Sequence, residues 1–342
     1  MYNFRSDYLE GAHPSILNKL METNTEQTVG YGEDYYCEEA ADIIRELINN
    51  DNADVHFVVG GTQANMLVIS SILRPHEAVI AVSSGHINVH ETGAIESVGH
   101  KILTVKGKDG KLRPCDIEYV LSLHTDCHMV KPKMVFISNS TEIGTLYTLD
   151  EIQALSRCCD ENNLYLYLDG ARLGSALCSE INDVELRHLA RYCDIFYIGG
   201  TKNGALFGEA IVINNDELKE DFRYLIKQKG AMLAKGRLLG IQFLELFKED
   251  LYFELAAHAN AMAMKMKEGL DKLGFEFFTD SYTNQLFVII DNDLVKEIEK
   301  KYQVTFFETY DETSSVIRFV TSWNTPESVI DEFLLDMKEL VE

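Results

Sequence analysis

Proline is scarce in this chain, five residues among 342, and there is no Pro-rich stretch, low-complexity tract or internal repeat. That excludes domains swinging on a disordered tether, so the parts of the molecule should pack closely. No uninterrupted apolar run approaches the ~20 residues needed to span a bilayer, and the opening Met1-Tyr2-Asn3-Phe4-Arg5-Ser6-Asp7 carries no apolar signal core. No membrane partner is therefore expected, and the expected location is the cytoplasm. Basic residues are also few, 31 Lys and Arg against 55 Asp and Glu, for a formal charge of −24. Without a basic stripe to track phosphates, nucleic acid is not an expected partner, and solubility is the consequence of the charge. The seven cysteines are odd in number and show no Cys-x-x-Cys spacing, which fits free thiols in a reducing compartment rather than a disulfide framework. Cys158 and Cys159 are adjacent on a predicted helix and point in different directions, so no metal is assigned.

What is present is α/β syntax. A chain of this length exceeds one ordinary hydrophobic core and predicts a large domain with a smaller one. Short, β-branched or aromatic runs at Val55–Val59, Ala78–Val82, Ile102–Val105, Met134–Ile137, Leu164–Leu168, Ile195–Ile198 and Ala210–Ile213 read as strands covered on both faces, hence a mostly parallel seven-stranded sheet. Helices are predicted between them at Gln63–Leu73, Ile87–Val98, Leu149–Asn162 and Val184–Tyr192. The segment 217–247 reads as a bridge. Beyond it a long helix, Phe253–Leu273, then strand-like Leu286–Ile290, a helix near Leu294–Tyr302, strand-like Val316–Val320 and a last helix from Pro326 form an α+β pattern. The expected division is an N-terminal arm over 1–25, a large domain with its bridge over 26–247, and a small C-terminal α+β domain over 248–342.

Two strand ends carry the chemistry. Asp169 opens Asp-Gly-Ala-Arg after one strand, and Lys202 closes Gly-Gly-Thr-Lys after the next. Singly, Asp169 is an ordinary helix cap and Lys202 an ordinary loop lysine. Together they match pyridoxal 5'-phosphate, which needs a lysine amine for a Schiff base and a carboxylate facing the pyridine nitrogen. Gly60-Gly61-Thr62 ends a strand and begins a helix, where free amides and the helix dipole favour a phosphate. This is not a Gly-x-Gly-x-x-Gly turn, which sets a Rossmann dehydrogenase aside. His86 follows the next strand and should reach the same sheet edge, placed to stack on the ring or act as acid or base; His124 and His128 are weaker candidates for the base. His90, four residues after His86, is read as structural. Arg172 and Arg318 are the two candidates to hold a substrate carboxylate, with the other as a structural pair.

In combination, Phe4-Arg5-Ser6-Asp7, Val29-Gly30-Tyr31-Gly32-Glu33-Asp34, Gly61-Thr62-Gln63-Ala64-Asn65, His86-Ile87 with Glu91-Thr92-Gly93-Ala94, Asp169-Gly170-Ala171-Arg172 and Thr201-Lys202-Asn203-Gly204 occur in the right order from Phe4 through Thr321. The chain thereby resembles the threonine aldolases of the aromatic-amino-acid β-eliminating lyase group, which have the fold of type I pyridoxal-phosphate enzymes. The resemblance implies that Lys202 bonds the cofactor, Asp169 holds its ring nitrogen, His86 stacks on the ring, and Gly61 and Thr62 cradle the phosphate. It further implies that Ser6, Arg172 and Arg318 surround the substrate carboxylate. Tyr31 then reaches a neighbouring subunit's site in a homodimer or homotetramer with active sites at subunit interfaces. The implied reaction is aldol cleavage of L-threonine, L-allo-threonine or a related L-β-hydroxy-α-amino acid to glycine and an aldehyde. β-Elimination from another amino acid uses the same lysine and aspartate, and a catalytically silent binding protein is the remaining alternative. The chain departs from the family pattern in three places, one being the usual Ser-Lys-Gly around the lysine, which is Thr201-Lys202-Asn203 here. The usual Glu-Asn-Thr-His run is Ser138-Asn139-Ser140-Thr141, and the Gly-Gly-Gly-Met-Arg segment is replaced by Ala234-Lys235-Gly236-Arg237, leaving Lys235 or Arg237 to reach a phosphate.

Overall fold

The computed structural model describes residues 1–342. All seven expected runs enter one sheet: β1 (Asp54–Val58), β2 (Glu77–Val82), β3 (Lys101–Val105), β4 (Lys131–Ser138), β5 (Tyr165–Asp169), β6 (Ile195–Gly199) and β7 (Glu209–Ile213). Their order is β1-β7-β6-β5-β4-β2-β3, parallel throughout except that β7 runs antiparallel to both neighbours. Alternation decides what each face buries. In β4, Val135 and Ile137 enter one apolar cluster while Met134 and Phe136 enter the other. Both faces are covered by helices, which is why these strands are apolar at nearly every position.

The parallel strands bring the carboxyl ends of β1, β2, β4, β5 and β6 to one edge, and β7 begins at that edge because it is reversed. Every motif of interest therefore lands there. One helix differs from expectation. In place of a continuous Ile87–Val98, two short helices, His86–Val89 and Ala94–Ser97, are separated by Thr92 and Gly93 with φ of 52° and 72°. Two successive left-handed residues stop a right-handed helix.

The smaller unit is a four-stranded antiparallel sheet with Gln285–Asp291 and Ser314–Val320 as its central pair, covered by helices Leu251–Lys272 and Glu327–Val341. The chain's first residues belong to this unit. Tyr2–Asn3 pair in parallel with Tyr302–Gln303, and Phe4 is fully buried among Tyr302, Phe319 and Phe333. This anchors the segment that carries Ser6 and Asp7.

Phe4→Ala should lower stability by about 3–5 kcal/mol through the lost apolar burial and the cavity left behind, measured by guanidinium denaturation. A loss below about 1 kcal/mol would mean that the segment is peripheral to that core.

Candidate active site

At the sheet's carboxyl edge lies a cleft of about 330 Å³ whose walls include Gly61, Thr62, His86, Asp169, Arg172 and Lys202. Six of the nine expected site residues are thus brought together. Ser6, Tyr31 and Arg318 do not line it. Four further lining residues, Tyr8, Glu142, Tyr197 and Glu209, carry no signal of a site role in the sequence.

Asp169 ends β5 and is 4% exposed. Its Oδ1 accepts from the Ala171 amide at 2.9 Å and from the Tyr197 hydroxyl, while Oδ2 has only a long 3.3 Å contact from Asn65. The turn that follows is tight, since a Cβ on Gly170 would fall 1.8 Å from the Tyr197 carbonyl oxygen. Glycine is required there for β5 and β6 to end side by side.

His86 Nδ1 is 2.7 Å from Glu91 Oε1, and the Glu91 side chain is fully buried. The broken helix creates this contact, because residues five apart on a continuous helix stand about 140° apart and face different ways. Asn65 ties the arrangement together: its amide nitrogen donates to Glu91 and Asp169, and its carbonyl oxygen accepts from the Tyr167 hydroxyl. The imidazole is thereby held at one orientation. His90, in contrast, is exposed, its ring 5.6 Å from that of His86.

Across the cleft, burial and then the repulsion of Arg172 pull the Lys202 amine below its usual range, against the attraction of Asp7, Asp169 and Glu209. Glu209, the first residue of β7, accepts from the Thr201 hydroxyl at 2.9 Å and the Gly200 amide at 3.1 Å. Burial pushes its carboxyl up to about 8, against the Thr201 bond and the Lys202 charge. Arg172 is gripped by Asp7, Nε to Oδ2 at 2.7 Å and Nη2 to Oδ1 at 3.0 Å. Burial raises Asp7, but the Arg172 and Lys202 charges with bonds from Arg172 and Asn284 outweigh it and leave the carboxyl below its usual range.

Arg318 has no carboxylate partner. Its Nη2 donates to the Arg5 carbonyl at 3.3 Å, and its Nε is buried without a partner. Burial and the nearby Arg172 charge lower its affinity for its proton, as expected for a guanidinium awaiting an anion. Ser6 is buried beside Asp7 with its hydroxyl unpartnered. Tyr31 is 46% exposed, its ring under Lys227. Arg237 donates to the Glu26 and Asn24 carbonyls, whereas Lys235 is exposed. His124 and His128 lie outside the cleft; His124 contacts the Val120 carbonyl at its own helix end.

These groups fit pyridoxal phosphate. Helix Gly61–Ile72 opens on the cleft at Gly60 with no side chain capping its first amides, which suits a phosphate. The Asp169 carboxylate and the Lys202 amine supply the two other contacts such a cofactor requires.

Comparison with known proteins agrees. The beta-eliminating lyase family model matches residues 3–293. A low specificity L-threonine aldolase of a Pseudomonas species is 34% identical, covering 99% of this chain and 97% of its own. The structure of a Leishmania major threonine aldolase is 49% identical with a TM-score of 0.99 over all of both chains. An aspartate aminotransferase of Thermus thermophilus, 14% identical, superposes with a TM-score of 0.75 over 99% of this chain and 91% of its own, a likeness of fold alone.

Asp7→Asn should cost about 3–5 kcal/mol at neutral pH by leaving Arg172 buried without its counter-charge. Because the folded-state value of Asp7 lies below the unfolded one, its contribution is present above pH ~4 and is lost as pH falls through the folded value. The stability gap between the two proteins should therefore narrow in acid, as read by denaturation at neutral pH and below pH 4. A gap that does not change would contradict the pairing.

Proposed function

This chain belongs to the beta-eliminating lyase family, and from that premise we propose that it is a pyridoxal-phosphate aldehyde-lyase. It cleaves L-threonine, L-allo-threonine or a related L-β-hydroxy-α-amino acid to glycine and an aldehyde. The observation that carries this reading is the meeting of the Lys202 amine, the Asp169 carboxylate and an uncapped helix N-terminus in one cleft. When bound, the cofactor supplies an electron sink that weakens the bonds at the substrate's Cα. The chain's own residues supply the rest.

Lys202 attaches the cofactor, and its lowered proton affinity favours the nucleophilic neutral amine. Asp169 keeps the ring nitrogen protonated, with Tyr197 and the Ala171 amide fixing one oxygen and leaving the other loosely held. His86, oriented by Glu91, would pack on the ring face. The Gly61 and Thr62 amides hold the phosphate. Ser6, Arg172 and Arg318 surround the substrate carboxylate, with Arg318 in the leading role because Asp7 already engages two nitrogens of Arg172. That grip turns the Cα–Cβ bond into the orientation in which it breaks. The exposure of Tyr31 suits a side chain that completes a neighbouring subunit's site, in a homodimer or homotetramer.

Purified, cofactor-loaded protein should release acetaldehyde and glycine in equal amounts from L-threonine or L-allo-threonine. Pyruvate and ammonia from serine, with no glycine from either substrate, would replace this reading by β-elimination. Lys202→Ala should lose both turnover and the cofactor's yellow colour; retention of both would remove Lys202 from its role. Arg318→Ala should raise KM about tenfold or more with cofactor affinity preserved, and the reverse pattern would move Arg318 out of the substrate site.

A further inference from the structure

Three carboxylates line the cleft, and two have duties: Asp169 faces the ring nitrogen, and Glu209 is bound to Gly200 and Thr201 beside Lys202. Glu142 has none. Its position is nonetheless built. Oε1 accepts from the Ser138 hydroxyl at 2.8 Å and from the His86 amide at 2.9 Å, which fixes the carboxyl at the end of β4 against the start of the His86 turn. The run that in the resembled family reads Glu-Asn-Thr-His is here Ser138-Asn139-Ser140-Thr141, with Glu142 next. The Ser138 hydroxyl that opens this run is the group that holds Glu142. Thr141 and Ser140, which also line this wall, do not titrate near neutrality.

Resting on the functional reading above, we infer that Glu142 is the general base that takes the β-hydroxyl proton of the substrate. The functional reading gives the His86 ring, with Nδ1 bonded to Glu91, to the cofactor's face, and leaves Glu142 as the cleft carboxylate without another duty. In the step assigned to Glu142, the O–H bond breaks and its proton passes to the carboxylate. The O–H electron pair forms the aldehyde C=O, and the Cα–Cβ pair passes to Cα. Glu142 then releases that proton to water, and Cα takes a proton from water by a route that does not pass through Glu142, so glycine and the aldehyde together match the substrate atom for atom.

Burial pushes the Glu142 carboxyl above the usual range, opposed by bonds from Ser138, its own amide and the His86 amide and reinforced by the charge of Asp169. Tyr147, which feels the Glu142 charge, lies on the segment after it. Lys202, Arg172 and Glu209 are the charged groups elsewhere in the cleft. A base with a raised value works closer to neutrality.

Glu142→Gln should lower kcat for L-threonine by about a hundredfold with little change in KM, and the acid limb of kcat against pH should disappear. Exchange of the glycine α-proton with deuterated solvent, which involves no β-hydroxyl, should continue at the wild-type rate. In infrared pH titration of the purified protein, a protonated-carboxyl band should be lost in this variant. Ser138→Ala removes a bond that favours the charged form, so its acid limb should move to higher pH; if Glu142→Gln fails to fold, this variant decides alone. Undiminished cleavage in Glu142→Gln, equal loss of cleavage and glycine exchange, or an unmoved limb in Ser138→Ala overturns the inference while wild-type activity keeps the functional reading intact. Wild-type protein that neither cleaves L-threonine nor exchanges glycine overturns both.

Discussion

Charge buried at the carboxyl edge of one sheet is the constraint to which most of this structure answers. A cleft that takes an anionic cofactor and an amino-acid carboxylate must hold cations, and a cation out of water needs compensation. The chain is strongly acidic overall, so the compensation is local. Asp7 comes from the N-terminal segment, 165 residues from Arg172, and clamps it through two bonds. That segment is held in turn by Phe4 in the small unit's core and by the Tyr2–Asn3 pairing. The first residues of the chain thus couple the small unit's packing to the electrostatics of the large one.

The same constraint explains why Arg172 and Arg318 differ. Both read alike in the sequence, as arginines at or near apolar strands. Arg172 has its counter-charge inside the protein; Arg318 has a single carbonyl contact and an orphaned Nε. An unpaired buried donor costs about 1–3 kcal/mol or more, a cost that an incoming carboxylate relieves. A paired guanidinium near an unpaired one leaves Arg318, not Arg172, with donors to offer an anion.

The large sheet was legible because strands buried on both faces are apolar at nearly every position, a signal that no amphipathic helix imitates. Asp169, Lys202, His86, Gly61 and Thr62 were legible for a related reason: each follows a strand, and parallel strands deliver their ends to one edge. Helix Tyr35–Ile48 was legible in principle, since Tyr36, Cys37, Ala40, Ala41, Ile44 and Ile48 recur at helical spacing opposite Glu38, Glu39, Asp42 and Glu46, with Asp34 as its cap. Strand Thr305–Thr309, with only partial burial, lacked the same contrast. Glu142 and Glu209 look in sequence like ordinary acids beside strand ends. Only burial distinguishes them, and burial depends on which loops fold over the edge. The His86–Glu91 contact needed the helix break at Thr92-Gly93, for which the glycine was a visible but unused signal.

Lys202 and Glu209 express one physical fact from two sides. Burial disfavours the charged form of each, lowering the amine and raising the acid, while their mutual attraction opposes both shifts. Were Glu209 absent, the amine would lose a neighbour that helps keep its proton; were it freely ionised and in direct contact, the amine would stay charged and unreactive. Bonds from Thr201 and Gly200 instead hold the carboxyl, and burial favours its protonated form. The reversed direction of β7 is what places this acid, since only a strand that begins at the catalytic edge presents its first residue there. A single antiparallel strand in an otherwise parallel arrangement thus adds one acid to the charges around Lys202, beside burial and the charges of Arg172, Asp7 and Asp169.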